Sequence, residues 1–409
     1  MKKNRRRQRP AESSDPAYLT ARSAAAELAI SQATLYAYVS RGLIRSEPLE
    51  DGARGRRYRA EDVRSLKTRR APLVQGEGLK AADLPVLDSA VSTITEDGPV
   101  YRGVLATTWS ETATLEQTAT LLWDARANNP FARGNLPHIS RAMRAVLDAT
   151  DRAEPIERAI AVLSLATEAD PSAYNATTEG RALTGAKILR LVVAAMLRTP
   201  PKDTPIDEQI AQAWALSHPR ASELIRQALV LLADHELNAS TFTVRCAAST
   251  GISLYDAVIA GLVALKGPRH GGVGPQASRL LDTLLAGDIT AIIRERVALG
   301  ERFAGFGHMV YNDRDPRALS LFKALFQTDI DKKMTEEIPH RIYEATGQFP
   351  NCDYALAVMR RALDMPKGSE TTLFAIARTA GWIAHAIEQL ESKKLIRPRA
   401  RYVGPAPRR

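Results

Sequence analysis

Helical periodicity, which continues from about residue 83 to the end of the chain, is the feature that most constrains the fold. Apolar residues recur there at the i, i+3, i+4 spacing of one helix face, as Ile156, Ala159, Ile160 and Leu163 do. Alternating apolar and polar residues, which are typical of half-buried strands, are almost confined to residues 90–101. The sequence therefore predicts an all-α body with at most one small hairpin near its start.

Length and composition indicate a globular protein. The chain has 409 residues, 45% of them hydrophobic and 25% charged, which leaves room for two or three domains. No apolar run approaches the roughly 18 residues of a membrane span, and the basic start is not followed by the apolar segment of a secretory signal. Two cysteines, Cys246 and Cys352, are too few for a disulfide framework or a zinc site. We therefore expect a soluble, cytoplasmic protein without a metal.

Positive charge is concentrated at the N-terminus. Residues 1–70 contain 17 Lys and Arg against 8 Asp and Glu, a net charge of +9, while the remainder of the chain has a net charge of +1. A basic module joined to a near-neutral body is typical of a nucleic-acid-binding appendage. We predict a disordered basic tail over residues 1–16, a folded basic domain over residues 17–70 and a linker over residues 71–82.

The pattern of residues 17–70 predicts two short helices followed by a hairpin. Thr20 and Ser31 are suited to cap the two helices, the second of which covers residues 32–41, and an arginine-rich hairpin follows at residues 51–59. The segment resembles the winged helix-turn-helix domains of the MerR and excisionase type, which implies DNA binding. The candidate DNA contacts are Gln32, Thr34, Tyr36, Arg41, Arg54, Arg56 and Arg57. The alternative is an interaction domain that does not bind DNA.

Four polar residues in the helical body stand at Gly- or Pro-marked ends of predicted elements. His270 and His308 lie in glycine-bordered loops, and Asp353 precedes a helix predicted to start at the next residue. His235 ends an amphipathic helix, three residues before Asn238, so the two side chains could share one face. Metal ligation is the rival interpretation, but the sequence has no His-x-x-x-His pair and no thiolate cluster. The pattern favours a polar site where loops converge.

Five ordered blocks connect these residues with a known family. They are H-E-x-N-A-S-T from His235, G-P-x-H-G-G around His270, G-F-G-H-x-V-Y-x-x-x-D-P-R around His308, P-N-x-D ending at Asp353, and R-P-R-x-x-Y-x-G from Arg397. Residues 83–404 therefore resemble the citrate synthase family. The resemblance implies a largely α-helical dimer, with a large domain formed by residues 83–272 and 359–409 and a small domain formed by residues 273–358.

The resemblance also implies a role for each matched residue. His270 is expected to hydrogen-bond the thioester carbonyl of acetyl-CoA, Asp353 to remove a methyl proton, and His308 to polarise the ketone of oxaloacetate. The expected oxaloacetate-binding residues are His235, Asn238, Arg317, Arg378 and Arg397, the last of which reaches in from the partner subunit. Acetyl-CoA is a substrate in this chemistry, and no permanently bound cofactor is implied.

Two departures from the family pattern leave alternatives open. Met309 and Asn312 stand where bacterial relatives commonly carry Arg and Lys, so Arg314 becomes the candidate contact for CoA. One alternative is a 2-methylcitrate synthase that uses propionyl-CoA. The other is a DNA-binding, metabolite-responsive regulator whose synthase-like body binds ligands without turning them over. Both histidines and Asp353 are present, which favours the enzyme, because a sensor needs the arginines but not the base.

Overall fold

The computed structural model divides into two compact units, Met1–Leu84 and Pro85–Arg409. The predicted tail over residues 1–16 and the predicted linker over residues 71–82 lie outside the part of the chain that the structure describes. The described residues are 18–28, 30–40, 44–48, 56–60, 62–63, 87–126, 129–311, 313–400, 402 and 404–405.

The N-terminal unit combines two short helices with a small sheet. Helix α1 is Ala21–Glu27 and begins after Thr20, whose side chain accepts a hydrogen bond from the Ser23 N–H. Helix α2 is Gln32–Ser40. The three strands, β1 Tyr18–Thr20, β2 Ser46–Pro48 and β3 Arg56–Arg59, pair antiparallel in the order β1-β3-β2. Leu35 and Tyr38 of α2 are buried in the core of this unit.

Helices dominate the second unit, as predicted. In chain order they are α3 Ala106–Trp109, α4 Leu115–Leu122, α5 Arg141–Ala149, α6 Pro155–Ala169, α7 Thr178–Leu197, α8 Ile206–Ala213, α9 Ala221–Leu232, α10 Ala239–Ala248, α11 Leu254–Leu265, α12 Val273–Ala286, α13 Ile289–Ala298, α14 Pro316–Leu325, α15 Ile338–Thr346, α16 Cys352–Ala362 and α17 Ser369–Ser392. A π-helical turn, Lys333–Glu337, precedes α15. The predicted hairpin gains a third strand, since β4 Ser92–Thr95, β5 Gly98–Tyr101 and β6 Val104–Leu105 form an antiparallel sheet in that order.

Helix α17 is the central element of this unit. It packs against α4, α7, α9, α10 and α11, and most of its side chains are buried. Gly381 permits the closest approach, because a Cβ there would lie 2.5 Å from the Ala233 carbonyl oxygen. The Gly381 N–H donates to the same carbonyl at 3.2 Å. This contact places the middle of α17 directly against the turn that precedes His235.

Two local predictions about the polar residues need correction. The helix predicted to begin after Asp353 begins one residue before it, because Asn351 is the N-cap and accepts a hydrogen bond from the Asp353 N–H at 2.9 Å. Asp353 therefore belongs to the first helical turn. His235 and Asn238 do not share a helix face, since α9 ends at Leu232 and Asn238 is the N-cap of α10. The Asn351 cap starts α16 before Asp353, and the Asn238 cap starts a new helix instead of continuing α9.

None of the helices found in the described ranges is both long enough and apolar enough to cross a bilayer.

Gly261 in α11 tests the packing of the central helix. A Cβ at this position would lie 2.7 Å from the Trp382 ring and 2.9 Å from Val244. We expect Gly261→Ala to lower the melting temperature, because overpacking costs about 1–3 kcal/mol and outweighs the roughly 1 kcal/mol by which alanine favours a helix over glycine. Thermal denaturation followed by circular dichroism measures the change. Gly134→Ala is the control, since nothing lies within 4 Å of a Cβ there. A melting temperature at or above the wild-type value would contradict this account of the packing.

Candidate functional site

Two of the predicted histidines and one predicted arginine form a single cluster. The rings of His235 and His308 lie edge to face with centroids 5.4 Å apart. Arg317 Nη2 lies 3.2 Å from His308 Nε2. Tyr311 joins the cluster, because its hydroxyl is 3.1 Å from His235 Nε2 and its ring is 4.7 Å from that of His308. The loop after α13 therefore meets the turn after α9, as expected for a site built from converging loops.

Arg317 is held by a buried ion pair with Asp315. The guanidinium donates to both carboxylate oxygens, Nε to Oδ1 at 3.0 Å and Nη2 to Oδ2 at 2.9 Å, and both side chains are at most 3% exposed. Burial opposes both charges, yet each partner stabilises the other, so the pKa of Asp315 lies below and that of Arg317 above its ordinary value. Asp315 Oδ2 also accepts from the Cys352 N–H at 3.0 Å. The pair thus connects the His308 loop with the helix that carries Asp353.

The surroundings of His308 decide where its proton lies. Nδ1 accepts hydrogen bonds from the N–H groups of Val310 at 3.0 Å and Tyr311 at 3.3 Å. Burial, with the nearby charge of Arg317, lowers the pKa of His308 to about 4, so the ring is neutral at pH 7. The single proton of the neutral ring must therefore be on Nε2. Nε2–H and the Arg317 guanidinium are neighbouring donors, and one ligand oxygen between them could accept from both.

His270 is fixed by α10 and α17. Its Nε2 lies 2.8 Å from Ser240 Oγ, which also receives the indole N–H of Trp382 at 3.1 Å. Its ring contacts Phe374 edge to face at 5.8 Å. The pKa of His270 is lowered to about 4, mainly by burial and to a smaller extent by the positive charge of Arg378. His270 is therefore neutral at pH 7 and can donate one hydrogen bond to a ligand.

Arg378 is a buried cation with an unused donor. It is 1% exposed, its Nε donates to the Leu232 carbonyl at 2.9 Å, and its guanidinium lies 4.6 Å from the centroid of the Phe374 ring. Its Nη1 is buried and has no hydrogen-bond partner among the residues that the structure describes. Burial lowers the pKa of Arg378, and the Asp234 carboxylate opposes that shift. A buried guanidinium in this state favours a carboxylate ligand, which would supply both the charge and the missing acceptor.

The electrostatics of Asp353 suit a general base. Burial raises its pKa to about 6; the positive charges of Arg317 and Arg378 oppose the increase, and the negative charges of Asp315 and Glu370 add to it. A carboxylate with a pKa near 6 is ionised at pH 7 and is a stronger base than a solvated aspartate. Asp353 lies in the first turn of α16, close enough to Arg317 and Arg378 for both positive charges to act on its carboxylate.

The other predicted ligand-binding residues of the body lie less centrally. Asn238 Oδ1 is engaged as a cap and accepts from the Thr241 N–H at 3.0 Å and from Ser240 Oγ at 2.9 Å. Arg314 is exposed and stacks over the Phe349 ring at 4.7 Å. Arg397 is exposed after the end of α17, and no hydrogen bond or ion pair joins it to residues within the described ranges. The fold of one chain therefore does not bring Arg397 to the cluster.

The predicted DNA contacts differ in their exposure and in their contacts within the N-terminal unit. Gln32 and Tyr36 are exposed one turn apart on α2, and Thr34 is half-buried. Arg56 is exposed and donates to the Ser46 carbonyl at 3.1 Å. Arg57 stacks over the Tyr18 ring at 4.2 Å and pairs with Glu47 at 3.3 Å, so it braces the sheet. Arg41 and Arg54 lie outside the described residues.

Several residues of the site were not singled out from the sequence. Tyr311 and Asp315 had a usable signal, since both lie in the loop block that contains His308, and Asp315 precedes a proline in the manner of an N-cap. Ser240 had the same kind of signal, since it lies in the block that starts at His235, whereas Phe374 and Trp382 had none, because they occupy ordinary helix positions. Only packing of α10 against α17 brings Ser240 and Trp382 to His270.

Comparison with known proteins assigns the family. Residues 78–399 match the family described as citrate synthase, C-terminal domain. The chain belongs to the citrate synthase family.

The relatives agree with this assignment. The chain is 31% identical to citrate synthase 2 of Bacillus subtilis over 354 residues, which cover 78% of this chain and 93% of the relative. It is 42% identical to a citrate synthase of Haloferax volcanii over 191 residues, 45% of this chain and 50% of that protein, so that match spans about half of the relative. The structure also aligns with the citrate synthase of Thermoplasma acidophilum, at a TM-score of 0.63 and 25% sequence identity. That structure is a ternary complex with carboxymethyl coenzyme A and oxaloacetate, and the alignment covers 80% of this chain and 96% of that one.

These comparisons support an enzyme of the citrate synthase class and the helical fold of that class. Citrate synthases use acetyl-CoA as a substrate and have no permanent cofactor, and the family assignment is consistent with this.

The protonation states of the two loop histidines can be tested directly. Because both pKa values are lowered to about 4, His270 and His308 should remain neutral from pH 8 down to about pH 5. Nitrogen-15 NMR of histidine-labelled protein reports the charge of each ring, and the variants His270→Gln and His308→Gln assign the signals. An imidazolium signal from either residue at pH 6 would contradict the proposed electrostatics.

Proposed function

We propose that the chain condenses acetyl-CoA with oxaloacetate and water, releasing citrate and CoA. The observation that carries the proposal is a set of buried groups, namely the neutral histidines His270 and His308, the arginines Arg317 and Arg378, and the carboxylate of Asp353 with its raised pKa. These groups match the reaction in number and charge. A base forms the nucleophile, two neutral donors polarise two carbonyl groups, and two cations bind a dicarboxylate.

In the first step, Asp353 removes a proton from the methyl group of acetyl-CoA. His270 donates its Nδ1–H to the thioester oxygen, which stabilises the enol that forms. This requires the Ser240 hydroxyl to donate to His270 Nε2, 2.8 Å away, instead of to Asn238 Oδ1. Asn238 Oδ1 competes for the same serine proton, so the His270 tautomer depends on this shared hydroxyl.

In the second step, the enol attacks the ketone of oxaloacetate. Arg317, Arg378 and His235 bind the carboxylates, and His308 donates its Nε2–H to the ketone oxygen, where negative charge develops. The new carbon–carbon bond joins the two substrates as a thioester of CoA, and water then cleaves this thioester. Keeping both histidines neutral makes them hydrogen-bond donors without adding charge beside the two arginines.

The proposed assembly is a cytoplasmic homodimer. Arg397 would contribute to the partner's oxaloacetate site, which is consistent with its exposed position at the C-terminal end. Residues 83–272 and 359–409 would form the large domain and residues 273–358 the small one. Arg314, exposed above Phe349, would contact CoA. Propionyl-CoA remains the competing acyl donor, with 2-methylcitrate as the product.

The N-terminal unit supports a second candidate function, DNA binding through a winged helix-turn-helix. The supporting observation is the exposed pair Gln32 and Tyr36 on α2, in a segment of net charge +9. A dimeric body would present two such helices to a near-palindromic site. If the body binds metabolites without turnover, the whole chain is a regulator rather than an enzyme.

Replacement of the base tests the proposed reaction. Asp353→Asn should bind oxaloacetate normally but lower kcat by a factor on the order of 10² or more, because general-base catalysis contributes about 10²–10⁴. Release of CoA, measured with acetyl-CoA and propionyl-CoA in parallel, gives the rates and the acyl preference. Asp313→Asn is the matched control, since Asp313 is an exposed carboxylate in a neighbouring loop. Wild-type turnover by Asp353→Asn would exclude Asp353 as the base.

Removal of residues 1–75 tests the second function. The full-length protein should bind DNA with an affinity that falls steeply with salt, because lysine and arginine contacts to phosphate release counterions. The truncated protein should lose this binding and keep its CoA-release activity. Gel-shift and activity assays on both proteins measure the two outcomes. Failure of the full-length protein to bind DNA at low salt would reject the DNA-binding role, whereas oxaloacetate-dependent DNA binding without turnover would favour the regulator.

A further inference from the structure

Glu370 is a buried carboxylate that the reaction outlined above does not use. It lies in the first turn of α17 and is 2% exposed. Its Oε1 accepts hydrogen bonds from Ser278 Oγ in α12 and lies 3.1 Å from Arg360 Nε in α16. Its Oε2 is buried and has no hydrogen-bond partner in the part of the chain that the structure describes. Burying a carboxylate oxygen without a hydrogen-bond donor costs free energy, so a residue in this state calls for an explanation.

The charges around Glu370 do not cancel. Arg360 is the only cation that contacts Glu370 within the described ranges, and its Nη2 also donates to both oxygens of Asp282 at 2.9 Å. One guanidinium therefore faces two carboxylates, and the group retains one negative charge. Asp282 is 41% exposed at its side chain, so water screens it. Glu370 is screened much less, because its side chain is buried.

Gly274 lets the side chains of Glu370 and Asp353 approach each other. A Cβ at Gly274 would lie 3.1 Å from the Glu370 Cβ and 3.8 Å from Asp353 Oδ1. Both acidic side chains therefore contact the same small volume, which only a residue without a side chain leaves open. The other charged groups that act on Asp353 are Arg317 and Asp315, which neutralise each other, and Arg378.

We propose that Glu370 is a positioning residue for the reaction, whose fixed negative charge behind Gly274 makes Asp353 a stronger base. This inference rests on the proposed function, in which Asp353 removes the methyl proton. The influence of Glu370 grows when oxaloacetate binds, because the substrate carboxylates then neutralise Arg317 and Arg378. Glu370 contacts Arg360 rather than Arg317 or Arg378, so the substrate carboxylates do not offset its charge. A like charge close to a carboxylate disfavours its ionised form and thereby strengthens it as a proton acceptor.

The test compares Glu370→Gln with the wild type. The variant keeps the shape of the side chain and removes its charge. We expect the acid limb of the kcat/KM profile for acetyl-CoA, measured at saturating oxaloacetate, to move down by roughly half to one pH unit. We also expect kcat on the plateau to fall roughly two- to fivefold, because the base is weaker. The primary isotope effect with trideuterated acetyl-CoA should increase, since proton removal becomes more rate-limiting.

Asp282→Asn is the matched control. It disturbs the same Arg360 network on its exposed side but changes no charge beside Gly274, so its acid limb should coincide with that of the wild type. If Glu370→Gln does not fold, Glu370→Asp and Glu370→Asn replace it, because these two variants match each other in size and differ in charge. The acid limb of Glu370→Asn should then lie below that of Glu370→Asp.

The outcomes separate this inference from the proposed function. An unchanged acid limb and isotope effect in Glu370→Gln, together with an inactive Asp353→Asn, would overturn the role of Glu370 alone. A uniform loss of activity at every pH, with a lower melting temperature and no shift of the acid limb, would assign Glu370 a structural role and also overturn it. Full activity of Asp353→Asn would instead overturn the proposed reaction itself.

Discussion

The buried ion pair between Arg317 and Asp315 is the interaction on which the rest of the site depends. It has both charges at 3% exposure or less, and removal of one partner from such a pair typically costs about 3–5 kcal/mol, because the other charge stays buried. Asp315 caps α14 and also receives the Cys352 N–H, while Arg317 Nη2 lies against His308. One ion pair therefore sets the relative positions of His308 and helix α16, which carries Asp353.

Burial and the two arginines together determine the charge states of the histidines. His235, His270 and His308 each have a lowered pKa, for which burial is the largest cause and a nearby arginine the next. The two arginines thus supply positive charge for a dicarboxylate substrate, while the histidines beside them stay neutral hydrogen-bond donors. The same burial raises the pKa of Asp353. Burial therefore keeps the histidines neutral and raises the pKa of Asp353 at the same time.

Helix α17 supplies groups to every part of this arrangement. Glu370 in its first turn approaches the base, Phe374 and Arg378 follow at helical spacing, and Trp382 holds Ser240 against His270. The helix is buried because α4, α7, α9, α10 and α11 surround it. A rigid, enclosed helix is a suitable support for catalytic groups, since their separations then depend on backbone geometry rather than on flexible loops.

The sequence by itself determined the helical class of the body and a hairpin near residue 92, and its ordered motifs singled out His270, His308, Arg317 and Asp353 as candidate site residues. These follow from local rules of periodicity, capping and ordered motifs, which operate within a few residues of the chain. Only the tertiary structure decided the tautomer of His308, the engagement of Arg57 with Tyr18, and the contact of Ser240 with Trp382. It also decided the place of Glu370, whose spacing in α17 resembles that of any first-turn acid. The protonation state of a buried group depends on neighbours that are distant in sequence. Around Glu370 these neighbours are residues 274, 278 and 353, and only packing brings them together.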